Sequence, residues 1–318
     1  MIGIGISTYN DFANVNKLIN SIKMHTQDSY RLVVVDDGTR DENTVKALKR
    51  VCEGHGVEFS RNSENRGIPY TWNRLTELCA PEPEDIMVLF NNDILVTNDS
   101  WLRCIEYFLA ENDKIGTVGF PLIFPQDYER TIKERTWGDK PGHVGAAVGC
   151  CFGFIKKVWE EVRNPDGSTG FWEDLVSFHE ETQFGFRLSE LGYYNYMLPW
   201  PPMVHYGGMT FDKNRNLWER PVDWSKWEKL NKQEYVEAIK KSKVYPEEWK
   251  KDKIVWNKDG IEFVDRMAFS RYMFAKYWGA LDTYDEPQVE VHKRIVTPMP
   301  RRRIKWLDME LKEEEAEV

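Results

Sequence analysis

Apolar positions recur along the first two hundred residues in two alternating rhythms. Residues 2–8 read as a short strand, and from Asn14 to Met24 the residues Val15, Leu18, Ile19 and Ile22 fall at helical spacing. The run Arg31 to Asp37 is continuous and β-branched, as in a strand buried on both faces of a parallel sheet, and it stops at Asp-Gly. A helix is expected over 43–54, a strand over 57–62, a helix over 69–79 and a fully apolar strand over 85–93. A helix near 99–112, a strand over 115–121, and a small-residue strand with its helix between Gly145 and Val162 follow. After a loop at 164–170, residues 178–192 read as a helix ending at Gly192 and 193–199 as a strand, leading into the segment 204–211. Strands alternating with helices predict an α/β layered domain with a mainly parallel sheet.

Beyond about residue 212 the alternation stops. Residues 226–243 and 262–278 read as helices, the second with Phe263, Met267, Phe274 and Trp278 as a buried stripe. The expected organisation is an α/β unit over 1–212 and a mostly helical, Trp-rich C-terminal region over 213–318, serving acceptor binding, packing or oligomerisation. A chain of 318 residues can bury one large core and carry such an appendage. No internal repeat is visible, and the closing EEEAEV reads as a frayed acidic tail.

Charge changes the picture in one place. The net charge of −9 speaks against nonspecific polyanion binding, which needs Lys and Arg to neutralise phosphates. Residues 213–258, however, carry 13 basic and 8 acidic side chains together with Trp218, Trp224, Trp227, Trp249 and Trp256. Aromatic faces stack on sugars or bases and cations meet phosphate, so this segment is a candidate acceptor platform. Packing against the first unit, with the lysines as a solvated face, is the preferred reading. Arg301, Arg302, Arg303 and Lys305 form a second basic run, read as solvated. The five cysteines lack zinc or disulfide spacing and read as reduced, mostly buried thiols. No leader pattern and no membrane-length apolar stretch is present, so a cytoplasmic location is expected.

In parallel sheets ligands sit beyond the carboxyl ends of the strands. The clusters to inspect are therefore Thr8-Tyr9-Asn10, Asp36-Asp37 and Asn91-Asn92-Asp93, all facing one crevice. Two tempting motifs fail. The GIGIST start lacks the third glycine of a dinucleotide loop and places its glycines inside the strand, and His179-Glu180-Glu181 lacks the second histidine of a zinc protease because position 183 is Gln.

The remaining clusters, in their order over roughly residues 1–210, resemble glycosyltransferase family 2, whose members have a GT-A fold. The pieces are Ser7-Thr8-Tyr9-Asn10; Val35 to Thr39; Asn65, Gly67 and Asn73; the DxD-like Asn91-Asn92-Asp93; Glu180 and Glu181 ahead of Arg187; and Pro201 to His205. The resemblance implies a nucleotide-sugar-dependent, inverting transferase. A hard divalent cation, Mn²⁺ or Mg²⁺, offsets the charge that a departing nucleoside diphosphate gains. Asp93 is the implied metal ligand and His205 the residue completing the metal or diphosphate shell, while Asn91 and Asn92 hydrogen-bond ribose or water. Thr8, Tyr9, Asn10, Asp37, Arg66 and Asn73 belong to the implied nucleotide site, with Asp36 as a structural cap.

The acidic pair supplies the base that takes the acceptor proton. Glu181 is preferred and Glu180 held in reserve, although the family's usual Glu-Asp is here Glu-Glu and the following Asp is Gln183. A UDP-sugar is the favoured donor, with GDP- and dTDP-sugars as alternatives. A saccharide or glycolipid precursor is the first expectation for the acceptor, followed by a modified base in nucleic acid. The contrasting class is a non-catalytic nucleotide-sugar-binding module.

Overall fold

The computed structural model describes residues 1–134, 142–146, 149–199, 202–206, 219–226 and 230–295. The first half runs β1 (Ile2–Thr8), α1 (Ala13–Met24), β2 (Arg31–Asp36), α2 (Glu42–His55), β3 (Glu58–Arg61), α3 (Ile68–Cys79), β4 (Ile86–Asn91), β5 (Ile94–Leu95), α4 (Trp101–Glu111), β6 (Ile115–Gly119), β7 (Leu122–Ile123) and α5 (Tyr128–Glu134). There follow β8 (Gly142–Val144), β9 (Cys151–Ile155), α6 (Lys156–Glu161), α7 (Glu180–Glu190), β10 (Tyr194–Met197), β11 (Met203–His205) and β12 (Glu219–Pro221). The chain closes with α8 (Lys232–Lys241), α9 (Glu247–Lys253), β13 (Trp256–Lys258), β14 (Ile261–Asp265), α10 (Arg266–Tyr277) and α11 (Pro287–Ile295).

Eight strands form the central sheet in the order β3-β2-β1-β4-β9-β6-β10-β8. Strands β3, β2, β1 and β4 are mutually parallel, as are β6 and β10, while β9 runs against both β4 and β6, and β8 against β10. Alternate residues of each central strand feed two different cores, as the twofold side-chain period requires. Ile4, Ile6, Val34, Val88 and Phe90 pack under α1, α2 and α4. Val33, Val35, Met87, Leu89, Phe152 and Phe154 pack under α3, α6 and α7. The expected α/β layers are therefore present.

The glycines of the first strand have a packing cause. A Cβ on Gly3 would stand 2.5 Å from the Cys79 carbonyl oxygen, and one on Gly5 would stand 2.6 Å from Met87 and 3.1 Å from Leu75. Their bare faces let α3 close onto β1 and β4.

Residues 219–295 depart from the expected helices. The 262–278 prediction resolves into a strand, β14, whose Asp265 caps α10 by accepting from the Ala268 N–H. Strands β12, β14 and β13 form a small antiparallel sheet. The 226–243 prediction narrows to α8, where Asn231 supplies the cap. This region does not have a core of its own: Trp172, Leu175 and Phe186 share one cluster with Tyr235, Val264, Phe269, Tyr272 and Phe274. Trp218, Trp227, Gly207, Gly208, Pro201, the Arg301–Arg303 run with Lys305 and the acidic tail lie outside the described residues.

Candidate active site

The apolar run of β4 ends at Asn91, and Asn92 and Asp93 form the turn into β5. Strand β5 pairs antiparallel with β11 so that Ile94 faces His205, which brings two residues far apart in sequence together. His205 Nε2 lies 3.2 Å from Asp93 Oδ2, and Asp93 is 6% exposed. The Tyr206 N–H donates to the Asp93 carbonyl over 2.9 Å, fixing the turn. An oxygen and a nitrogen held about 2.1 Å from one octahedral ion, at right angles, stand about 3 Å apart, so the pair fits two neighbouring positions of a hard divalent cation. Among the described residues no three His, Cys, Asp or Glu side chains form a ready cage. Such a site is open, leaving positions for phosphate oxygens and water.

Cys150 adjoins this pair, with Sγ 3.7 Å from His205 Nε2. Burial pushes its thiol up to about 12, with further contributions from the charges of Asp93, Glu181 and Glu180. One half-buried side chain thus lies within the field of both the metal-ligand candidate and the acidic pair. Sequence reading missed Cys150; its place just before the reversed strand β9 was the only signal.

The second cluster lies two strands away. Parallel register sets Thr8 beside Asp36 and Ser7 beside Asn91, so the three polar ends line one rim. Thr8 Oγ1 donates to the Asp11 carbonyl and accepts from Asn92 Nδ2 over 3.1 Å. Asn10 takes a left-handed conformation (φ 56°), and its N–H donates to Thr39 Oγ1. Asp36 accepts from the Thr39 N–H and pairs with Arg61, a structural role as expected. Asp37 accepts from Asn62 Nδ2 and the N–H groups of Arg66 and Gly67 at 2.8 to 2.9 Å. Its carboxyl is nonetheless pushed up to about 6, because burial outweighs those bonds. Asp37 therefore organises the Asn65-Arg66-Gly67 loop, over which Arg66 stacks on Tyr70 at 4.2 Å.

The acidic pair opens α7. Glu180 is 5% exposed, and among the described residues its Oε2 has no hydrogen-bond partner. Burial and the neighbouring Glu181 charge hold its carboxyl well above the usual range. Glu181 is also raised by burial, but backbone N–H groups and the Thr182 hydroxyl oppose the rise. Glu181 lies against Gly149: a Cβ there would stand 2.9 Å from the Glu181 carboxyl carbon. The approach to α7 is strained, with Val176, Phe178 and His179 at φ of 42°, 72° and 65°. The C-terminal region holds this segment in place. His179 stacks on Phe274 at 4.8 Å, Ser270 donates to the Leu175 carbonyl, and Trp278 Nε1 donates to Gln183 Oε1 over 2.6 Å.

Residues 4–163, half of the chain, match the family model described as Glycosyl transferase family 2. The chain belongs to glycosyltransferase family 2. Its fold is similar to that of GalNAc-T7, solved with UDP, GalNAc and Mn²⁺, at 11% identity and a TM-score of 0.50 over 64% of this chain. The match spans 43% of that protein, less than half its length. A structure of S. aureus TarS residues 1–349 is similar at 14% identity and a TM-score of 0.50, covering 93% of this chain and 83% of that one. No curated protein sequence matches significantly.

Within this family-2 chain two sequence assignments take a different place. Asn73 was expected at the nucleotide, but its amide is consumed in the protein: Oδ1 accepts from the Phe171 N–H and Trp159 Nε1, and Nδ2 donates to the Phe171 carbonyl and Glu173. It ties α3 to the 171–173 segment. The basic face of α9 is also partly internal. Lys250 Nζ donates to the Lys240 carbonyl, and Lys253 pairs with Asp265 at 2.7 Å. Trp224 packs on Tyr235 and Phe269, whereas Trp249 is exposed. Trp224 thus packs within the C-terminal region itself, and Lys250 and Lys253 are engaged internally where a solvated face was expected. Among the described residues no helix is long and apolar enough to cross a membrane.

Proposed function

We propose that this glycosyltransferase moves a sugar from a nucleoside-diphosphate sugar to an acceptor hydroxyl, in a metal-assisted single displacement that inverts the anomeric centre. The observation that carries this reading is the Asp93–His205 pair at 3.2 Å, with Cys150 beside it under the charge of Glu181. That Cys150 lies within the field of both the metal-ligand candidate and the base candidate supports one shared site for the two. The UDP and Mn²⁺ bound by the similar GalNAc-T7 structure support the same ligand classes here.

Asp93 and His205 would hold a divalent cation beside the diphosphate. That ion supplies positive charge against the departing diphosphate. Asn92, through its bond to Thr8, keeps the rim between the phosphate and ribose ends rigid. Tyr9 and the loop organised by Asp37 receive the nucleoside. Glu181 accepts the acceptor proton as the oxygen attacks, and Glu180, whose carboxyl burial and the Glu181 charge hold well above the usual range, is the reserve base. Residues 219–295 act as a clamp on the segment that carries both glutamates. A saccharide or lipid-linked saccharide is the acceptor class. With Lys250 and Lys253 engaged internally, a nucleic-acid acceptor has little basic surface on α9.

Incubation with a panel of nucleotide sugars and Mn²⁺ tests the reading. Slow donor hydrolysis that disappears in Glu181→Gln supports it. Silence with every donor favours a non-catalytic binder, and a product of retained configuration by NMR removes the single displacement.

A further inference from the structure

Helix α10 begins beside the nucleoside end of the crevice, although it lies some two hundred residues away in sequence. Its first residue, Arg266, hydrogen-bonds through Nη1 to Asn65 Oδ1. Asn65 belongs to the same loop whose next two N–H groups grip Asp37. Arg266 lies near Tyr9 and is close enough to Asp37 to feel its charge, and it is crowded by Arg220 and Arg40. Asp174 pairs with Arg220 at 3.1 Å, Glu173 lies 3.8 Å from Arg66, and Asp37 accepts from three N–H groups. Four arginines thus converge where the sequence reading supplied only Arg66.

Position along the rim decides what Arg266 meets. The metal pair lies at the end of β4 and Arg266 beside the end of β2, with β1 between them. At about 4.8 Å per strand, two strand spacings separate them by about 10 Å. A diphosphate anchored at Asp93 therefore directs its nucleoside, and not its phosphates, toward Arg266. A guanidinium donates only, through five N–H groups in a rigid fork. It matches bases that present carbonyl oxygens, such as uracil, thymine and guanine, and mismatches the amino group at the corresponding edge of adenine.

We propose that Arg266 is a specificity-determining residue of the donor site, reading the carbonyl oxygens of the nucleobase, so that the C-terminal region completes the nucleotide pocket. This inference rests on the donor-site reading above. Burial and the neighbouring arginines push the Arg266 guanidinium below its ordinary range, and an electron-rich base edge relieves that crowding.

Calorimetric titration of UDP, dTDP, GDP, ADP and inorganic pyrophosphate, each with Mn²⁺, tests the inference on the full chain. For the preferred carbonyl-bearing nucleotide, Arg266→Ala and Arg266→Lys should both weaken binding about 10- to 100-fold, the range for hydrogen bonds from a charged donor. Lys keeps the charge and the stem and guards against misfolding of the Ala variant. Pyrophosphate and ADP should bind each variant as they bind the wild type. Unchanged nucleotide affinity in both Arg266 variants overturns the inference. An equal loss for pyrophosphate makes Arg266 a phosphate contact and also overturns it, as does an equal loss for ADP, which makes Arg266 a general support of the site. A wild-type protein that binds none of the nucleotides overturns the donor-site reading itself.

Discussion

Trp278 Nε1 donates to Gln183 Oε1 over 2.6 Å, joining the end of α10 to the helix that carries Glu180 and Glu181. Gln183 is fully buried, and among the described residues its Nε2 has no partner, so this bond is the one its amide side chain makes there. Trp278→Phe keeps the ring and removes the donor. It should destabilise the protein by about 1–3 kcal/mol in denaturant titration, the cost of an unsatisfied buried polar group. It should also lower kcat while leaving the donor KM unchanged, because α7 shifts and the nucleotide rim does not.

The acidic pair sets a pH dependence of stability. Both carboxyls are raised above the ordinary glutamate value of 4.5. Between 4.5 and the raised native values the folded state binds more protons than the unfolded chain, so stability falls as pH rises through that window and stays lowered above it. Below 4.5 both states are protonated and the penalty vanishes. Glu180→Gln should therefore raise Tm relative to the wild type at pH 8 and leave it unchanged near pH 4. A difference of the same size at both pH values would mean that Glu180 does not titrate as a buried acid.

Activity should follow the same pair in the opposite sense, because the base works only when ionised. The acid limb of kcat/KM should rise with an apparent pKa above 4.5, a value belonging to the two carboxyls together. Glu181→Gln should lower kcat about 10²- to 10⁴-fold and retain nucleotide binding. If Glu180→Gln gave the larger loss, the roles of the two would exchange.

Gly149 offers a cleaner probe of Glu181 position. Its backbone is not left-handed, so alanine adds only a Cβ, 2.9 Å from the Glu181 carboxyl carbon. Gly149→Ala should displace that carboxylate and cut kcat about tenfold, one order per roughly 1.4 kcal/mol of barrier. Steady-state kinetics with unchanged nucleotide affinity would bear this out; a wild-type kcat would place Glu181 away from the reaction.

The central α/β layers were legible because β1, β2 and β4 are continuous apolar runs and the helices between them carry a hydrophobic period. Strand β9 was legible as a strand, but its reversed direction was not, since small residues such as Gly153 carry no directional signal. Strands β5, β7 and β11 span two or three residues, too short for any periodicity, yet β5 and β11 bring His205 to Asp93. Asn73 was misread because a motif position says nothing of which partners an amide has already taken. Arg266 was invisible: its link to Asn65 spans 201 residues, and its own neighbours read as one continuous helix when Asp265 in fact ends a strand and caps the next helix.

Asp93 remains the residue on which the metal-assisted reading depends. The direct measurement is the thermal shift of wild type and Asp93→Ala with UDP, GDP and dTDP, each with and without Mn²⁺. A ligand held only by the folded state at about 100 times its Kd adds about 2.7 kcal/mol of stability. The wild type should show a nucleotide shift that grows with Mn²⁺, and Asp93→Ala should lose that increment while keeping its unliganded Tm. An Mn²⁺-dependent shift of full size in Asp93→Ala would contradict a metal site at this residue.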